Sequence, residues 1–402
     1  MSKARRRKPR SRRIITDILL QATPVVILTS IGELFAGSIL GKMHERLDII
    51  PGLIILVPAI MDLRGNIGTA LGSRISASLH LGLLSKKFAF NAFHVNNIGA
   101  GLSLSIMVSI IIGLFARIAC QIFGLPSIPL VNMLLIAILA SAMASLMLIP
   151  FTVTLTYLAF NKDLDPDNIV APIIGMVGDI IAVAVVFVAA DIVLRFKIDD
   201  AWSFLLLPAV PMIIKRIPSR YRFLSIIKQS IPILFLCTLF GVLAGIYLHW
   251  QYEKFYLIPG LLILVPQIIA KAGSIGGVFG ARFASGLHLG YVKPYRMNDH
   301  VIKNILGAIA LAIIIAPIVT LITKFGADIF GIPIVPFTAL LYINVFAILI
   351  ITMIVVVLDF LTASLSYKMR IDPSNSVIPI VTSVGDIIGT VVLVLAISLF
   401  LL

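Results

Sequence analysis

Each half of this chain carries five apolar stretches, most of them about 20 residues or longer, and none alternates apolar with polar positions. In the first half they lie at about 14–40, 49–85, 97–123, 131–160 and 168–195; in the second at about 224–248, 257–291, 301–325, 336–367 and 375–402. A helix needs about 20 apolar residues to cross the hydrocarbon core of a bilayer, whereas a membrane β-strand alternates over about ten. Continuous runs of this length therefore predict an all-α polytopic membrane protein. Composition agrees: 60% of the 402 residues are hydrophobic and 12% are charged, against about 45–50% apolar and about 25% charged in an average soluble domain. The first stretch, Ile14 to Leu40, follows basic residues as a signal peptide would, but it is long and has no clear small-residue cleavage site. It is expected to be the first span.

The charge is as uneven as the hydropathy. There are 32 Lys and Arg against 18 Asp and Glu, a formal +14. Eight of the bases (Lys3, Arg5, Arg6, Arg7, Lys8, Arg10, Arg12, Arg13) precede residue 14, and four more (Lys215, Arg216, Arg220, Arg222) lie together near the middle. Clusters beside apolar runs mark orientation rather than a nucleic-acid partner, and they suit contact with anionic lipid headgroups. Cys120 and Cys237 are far apart inside apolar stretches, which gives neither a disulfide framework nor metal-ligand spacing.

The chain is also a repeat. Pro51-Gly-Leu-Ile-Ile-Leu-Val-Pro58 recurs as Pro259-Gly-Leu-Leu-Ile-Leu-Val-Pro266, and without gaps residues 51–82 match 259–290 at 17 of 32 positions. Gly65, Gly68, Gly72 and Arg74 find Gly273, Gly276, Gly280 and Arg282 at an offset of 208. Later the offset is 207: Gly124 and Pro126 match Gly331 and Pro333, and Asp165-Pro166, Pro172 and Gly178-Asp179 match Asp372-Pro373, Pro379 and Gly385-Asp386. The expected domains are a basic tail at 1–13, a five-helix repeat at 14–195, a linker at 196–223 and a second five-helix repeat at 224–402. Both repeats follow a basic cluster, so both first spans should start in the cytoplasm. The linker must then cross once, giving a five-one-five arrangement of parallel halves, a cytoplasmic N-terminus and an external C-terminus. The rival is ten spans in an inverted repeat.

Charged groups inside spans cost several kcal/mol unless they face a cavity or a partner, which makes each one a functional candidate. The second stretch of each half is long and interrupted by Pro58, Asp62, Arg64, Gly65-Asn66 and Gly68, and by Pro266, Gly273-Ser274 and Gly276. It is expected to be a broken helix, of the kind that lends backbone carbonyls to ions; alternatively the glycines serve close helix packing. In the fifth stretch, Asp179 and Asp386 occupy equivalent apolar contexts. Two carboxylates converging on one path suit a divalent cation, and Mg²⁺ in particular keeps much of its water. Glu33, Asp62, Asp191 and Asp359 are lesser candidates, with Gly241, Ala270, Ser398 and Thr152 at the matching positions. Asp62 is close enough in sequence to Arg64 to pair with it. His80 and His288 are repeat-related and are candidates for gating or proton linkage.

No nucleotide-binding or hydrolase motif is present in the sequence, so an enzyme is not expected. A lipid-phosphate enzyme would cluster acids at one surface, as at Asp163, Asp165 and Asp167, but the second half has Lys368 and Arg370 near Asp372.

These motifs together, Pro58 with Gly65-Asn66-Ile-Gly68 and the Asp-Pro…Pro…Asp patterns ending at Asp179 and Asp386, resemble the MgtE-like integral membrane domain. The tandem arrangement resembles solute carrier family 41. The resemblance implies Mg²⁺ or a related divalent cation as transported substrate, no cofactor, and a pore between two five-helix units that are fused in one chain, so that a monomer suffices and a dimer stays open. It places the metal-site aspartate on Asp179 and Asp386 and the Gly-Asn element on Gly65-Asn66 and, degraded, on Gly273-Ser274; Asn66, Ser274 and, one turn before each aspartate, Gly175 and Thr382 are expected at the metal site with the acids. Asp62, Glu33, Asp359, Gly65, Gly273, His80 and His288 follow as pore or gating candidates. The polar residue found before the proline in bacterial relatives is Ala171 and Ile378 here, which leaves backbone carbonyls or water to complete the site. Large cytoplasmic Mg²⁺-sensing domains are not expected in this chain. The resemblance implies the plasma membrane as location. Mn²⁺, Co²⁺ and Na⁺- or H⁺-coupled exchange remain alternatives.

Overall fold

The structure, a computed structural model, describes residues 14–401 except 81, 163–165, 196–219, 252–254, 256–257, 289 and 371–372. In chain order its helices are α1 (Ile14–Lys42), α2 (His44–Ile49), α3 (Leu53–His80), α4 (Ala92–Ile122), α5 (Leu130–Asn161), α6 (Pro166–Arg195), α7 (Arg220–Trp250), α8 (Leu264–His288), α9 (Asp299–Phe330), α10 (Phe337–Lys368) and α11 (Pro373–Leu401). A 3-10 turn, Pro259–Ile263, leads into α8. Ten helices among the described residues are long and apolar enough to cross a membrane. The chain is a multi-pass, all-α membrane protein. The linker expected to cross the membrane lies almost wholly outside the described residues.

The repeat is visible in the backbone as well as in the letters. Gly124 and Gly331 follow α4 and α9 and both have φ +65°, the left-handed conformation that glycine adopts without a Cβ penalty. Beyond them the Leu125 amide donates to the Cys120 carbonyl at 2.8 Å and the Ile332 amide to the Ala327 carbonyl at 2.9 Å, closing each helix with the same wrapped turn. Pro129 and Pro336 then open α5 and α10 with φ −53° and ψ 149° in both.

Packing does not respect the repeat boundary. The contacts group the chain into two compact units, one of Ile31–Gln267 with Thr323–Val335, the other of residues 1–30 as far as described, Ile268–Ile322 and Pro336–Leu402. Within the first unit, α7, the opening helix of the second repeat, packs on α3 and α4 of the first. Its Gly245 lies so close to the Ile55 carbonyl and Cα that no Cβ fits without movement. In the same unit Gly37 of α1 lies equally close to the carbonyl and Cα of Ile263. These are the same contact under the repeat offset of 208, so each repeat's opening helix is exchanged onto the other's second element. Small residues at such crossings let backbones meet where no hydrophobic force distinguishes helix from lipid. Phe35 and Phe330 meet edge-on at 5.7 Å beside this contact.

The break expected in the second stretch sits at its entrance rather than in its middle. α3 runs continuously from Leu53 to His80 with Pro58 inside, and among the described residues the irregular backbone lies at the ends of the stretch, at 50–52 and 82–85, and in the second repeat in the 3-10 turn Pro259–Ile263 ahead of α8. The mid-helix glycines are held in helix by their neighbours: a Cβ at Gly68 would strike Ile174 and one at Gly72 would strike Val170, both on α6. Their role as packing surface, the alternative weighed from sequence, accounts for those two positions.

Candidate divalent-cation half-sites

Two helix pairs carry the residues singled out by sequence, one pair in each unit. In the first, α6 leans on α3 through the contacts of Gly68 and Gly72. A Cβ at Gly178 would lie 3.4 Å from Leu148 and 3.8 Å from the Arg64 Cβ, so Asp179 follows directly on the contact and is part-exposed. One turn before it, Gly175 is different: among the described residues nothing lies within 4 Å of where its Cβ would be, and the same holds for Gly65 on α3. Open space therefore flanks the polar positions of both helices. Asn66 donates its amide to Asp62 Oδ1 at 2.9 Å, and the Thr69 hydroxyl donates to the Gly65 carbonyl at 2.8 Å. Oxygen atoms of three residue types thus gather along one stripe of α3.

The pairing of Asp62 with Arg64 expected as one option is not what Arg64 does. Residues two apart in a helix point to opposite sides, and Arg64, 1% exposed, turns to α5. There it donates to the Ser141 carbonyl at 3.1 Å and to the Ser145 hydroxyl, which itself donates to Ser105 at 2.7 Å. The Nε and Nη2 of Arg64 have no hydrogen-bond partner among the described residues. Glu33, on α1, is buried.

The equivalent pair in the other unit is α8 with α11. A Cβ at Gly385 would strike Ala272, and one at Gly389 would come within 3.0 Å of the Ile269 Cα, so the helices are again locked on either side of an aspartate. Asp386 is part-exposed. The Thr382 hydroxyl donates to the Pro379 carbonyl at 3.1 Å, and Ser383 to the same carbonyl at 3.0 Å. The Thr382 methyl stands 3.4 Å from a Cβ built at Gly273. Ser274 beside it holds a buried hydroxyl oxygen with no partner among the described residues, a polar atom of the kind that ordinarily has a protein, water or ion neighbour. Gly277, one turn past Gly273, has open space at its Cβ position among the described residues. Each helix pair thus carries an aspartate and the turn before it on one helix and the Gly-Asn or Gly-Ser element on the other.

Other candidates fall elsewhere. Asp191, near the end of α6, pairs with Arg46 of α2 and lies 3.9 Å from Arg195. Asp359 is buried on α10. The side chains of His80 and His288 and the acids Asp163, Asp165, Asp167 and Asp372 lie outside the described residues. Among the described residues no three His, Cys, Asp or Glu side chains gather as a metal cage. Sequence reasoning missed a pair of part-buried bridges: Arg74 donates to the Asn97 side chain at 2.7 Å and Arg282 to that of Asn304 at 2.7 Å. Their signal was present, since both arginines were among the repeat identities.

The ten membrane-length helices define a class, polytopic all-α membrane proteins, here with an internal repeat. The MgtE model, described as a divalent cation transporter, matches residues 57–189 and again 265–396, and the chain belongs to that family, whose members are transporters rather than enzymes. Solute carrier family 41 member 3 of Rattus norvegicus is 22% identical over 92% of this chain and 84% of its own length. The protein of the same name from Mus musculus is 22% identical over 92% of this chain and 80% of its own. A mutant of the Vibrio cholerae MATE transporter VcmN aligns over 96% of this chain and 97% of its own, at 12% identity and a TM-score of 0.25, too low to inform the fold.

Proposed function

We propose that this protein carries Mg²⁺ across the plasma membrane through a path to which each repeat contributes one aspartate, Asp179 and Asp386, with the Gly65-Asn66 and Gly273-Ser274 elements along it and Gly175 and Thr382 one turn ahead of the acids. The observation that carries this reading is the repetition of one arrangement: a part-exposed aspartate following a glycine packed against the second helix of its repeat, with open glycine positions nearby. Two carboxylates without a cage of further side chains suit an ion that dehydrates reluctantly and is held through its own water. Weak, water-mediated binding is also what a transported ion needs in order to leave.

The reading includes a cytoplasmic N-terminus, an external C-terminus and contact of the two basic clusters with anionic lipid. One chain supplies both aspartates, so a monomer suffices. The test is metal uptake into proteoliposomes. Asp179→Asn with Asp386→Asn should abolish Mg²⁺ flux at normal expression and folding; undiminished flux in the double variant would remove both residues from the path.

A further inference from the structure

The second repeat contains a buried acid that the half-sites do not use. Asp359 on α10 is fully buried, and neither carboxyl oxygen has a hydrogen-bond partner among the described residues. Its surroundings are apolar: Cβ atoms built at Gly276 and Gly280 of α8 would lie 3.8 and 2.9 Å from its oxygens, and those same two positions face Val355 of α10 and Val377 and Val381 of α11. No charged group among the described residues pairs with it. The charged members of the helices around it are Lys271 and Arg282 on α8, with Arg282 bonded to Asn304 of α9, Asp386 on α11, and Lys368 on its own helix, which lies 4.6 Å over the Tyr295 ring.

A carboxylate held this way would forfeit its hydration with nothing in return, at a cost far above that of a neutral acid. A bound metal ion or Na⁺ does not fit, because hard cations need several oxygen ligands and glycine Cα and valine methyl groups offer none. A proton needs only the carboxylate. The same line of α10 carries Thr352, one heptad earlier, whose buried hydroxyl also has no partner among the described residues. In the first repeat the matching residues are satisfied: Ser145 bonds Arg64 and Ser105, and Thr152 donates to the Leu148 carbonyl at 2.8 Å.

We infer that Asp359 is a proton-binding site, a neutral carboxylic acid in the resting protein that gives its proton to water when α8 and α10 part, so that inward movement of a divalent cation is exchanged against a proton. This rests on the transport reading above. The glycines make the device economical in motion, since only hydrogen atoms stand between α8 and the carboxyl and a small separation admits water. The step balances as loss of one O–H proton to water and its later return from the opposite side.

Infrared difference spectra of the purified protein in lipid should show the carbonyl band of a protonated carboxyl, shifted in D₂O and lost in Asp359→Asn and in Asp359→Thr, the latter placing there the first repeat's residue. In vesicles holding a pH dye, added Mg²⁺ should drive proton efflux through the wild type. In both variants the protons moved per Mg²⁺ should fall to near zero. Absence of the band in the wild type, its persistence in both variants, or unchanged proton movement per Mg²⁺ in the variants would overturn the proposal. If the wild type carries no Mg²⁺, the transport reading fails by itself, and the infrared band still decides whether Asp359 holds a proton.

Discussion

Arg74 and Arg282 show how much of a membrane fold rests on single side chains. Each bridges from the second helix of its repeat to an asparagine on the third, and the asparagine amide in turn donates to a backbone carbonyl, Asn97 to Phe93 at 2.9 Å and Asn304 to His300 at 2.8 Å. Removing the guanidinium leaves an amide oxygen with fewer donors, at about 1–3 kcal/mol. Arg74→Ala and Arg282→Ala should each lower the melting temperature of the detergent-solubilised protein, measured by fluorescence-detected size exclusion, and to similar degrees. At this scale the sequence was partly legible. Asp179 and Asp386 announced themselves by being charged, apolar-flanked and repeated, and the structure leaves both part-exposed. The partners of Arg64 were not legible, because Ser141 and Ser145 lie on another helix and only tertiary packing brings them near. Asp62 lay two positions away along the chain and on the wrong side of the helix.

At the scale of the element, glycine does two opposite things that one letter conceals. Gly37 and Gly245 touch backbone across an exchanged helix crossing, whereas Gly65 and Gly175 face open space among the described residues. Gly37→Ala and Gly245→Ala should therefore force helices apart, destabilising the fold by about 1–3 kcal/mol, visible as a lower melting temperature for each. Gly65→Ala and Gly175→Ala should leave that temperature unchanged or higher, since alanine favours helix by about 1 kcal/mol over glycine. The same two variants should slow Mg²⁺ uptake by narrowing the proposed path. The spacing of these glycines was readable before the structure was; which of them met a neighbour was not. The continuity of α3 through Pro58 and Gly65 has the same cause, because packing against α6 holds a segment that propensity alone would break.

At the scale of the molecule, the ten apolar helices of the two repeats and the duplication were the most legible features, because both depend on patterns many residues long. The exchange of opening helices was not legible at all, since identical repeats give identical letters whether or not they trade partners. It predicts that residues 1–207 and 208–402 expressed separately will each aggregate in detergent, and that co-expression will restore a monodisperse complex. The direction of the repeats is tested independently. In the five-one-five arrangement, single cysteines at Asp199 and Arg220 should react with a membrane-impermeant label from opposite sides of the bilayer, and labelling from one side would favour ten spans.

The exchanged crossing of Gly37 on Ile263 also sets a schedule for biogenesis. The first helix enters the bilayer long before its partner backbone has been made, and at a synthesis rate of about 5–20 residues per second the wait is on the order of ten seconds or more. Throughout that interval a glycine-bearing face stands open to lipid and to the quality-control machinery that surveys unpaired helices. A ribosome stall or premature stop anywhere before residue 263 thus orphans a helix already inserted, and cellular turnover should rise most sharply for truncations that end between the two halves of that contact.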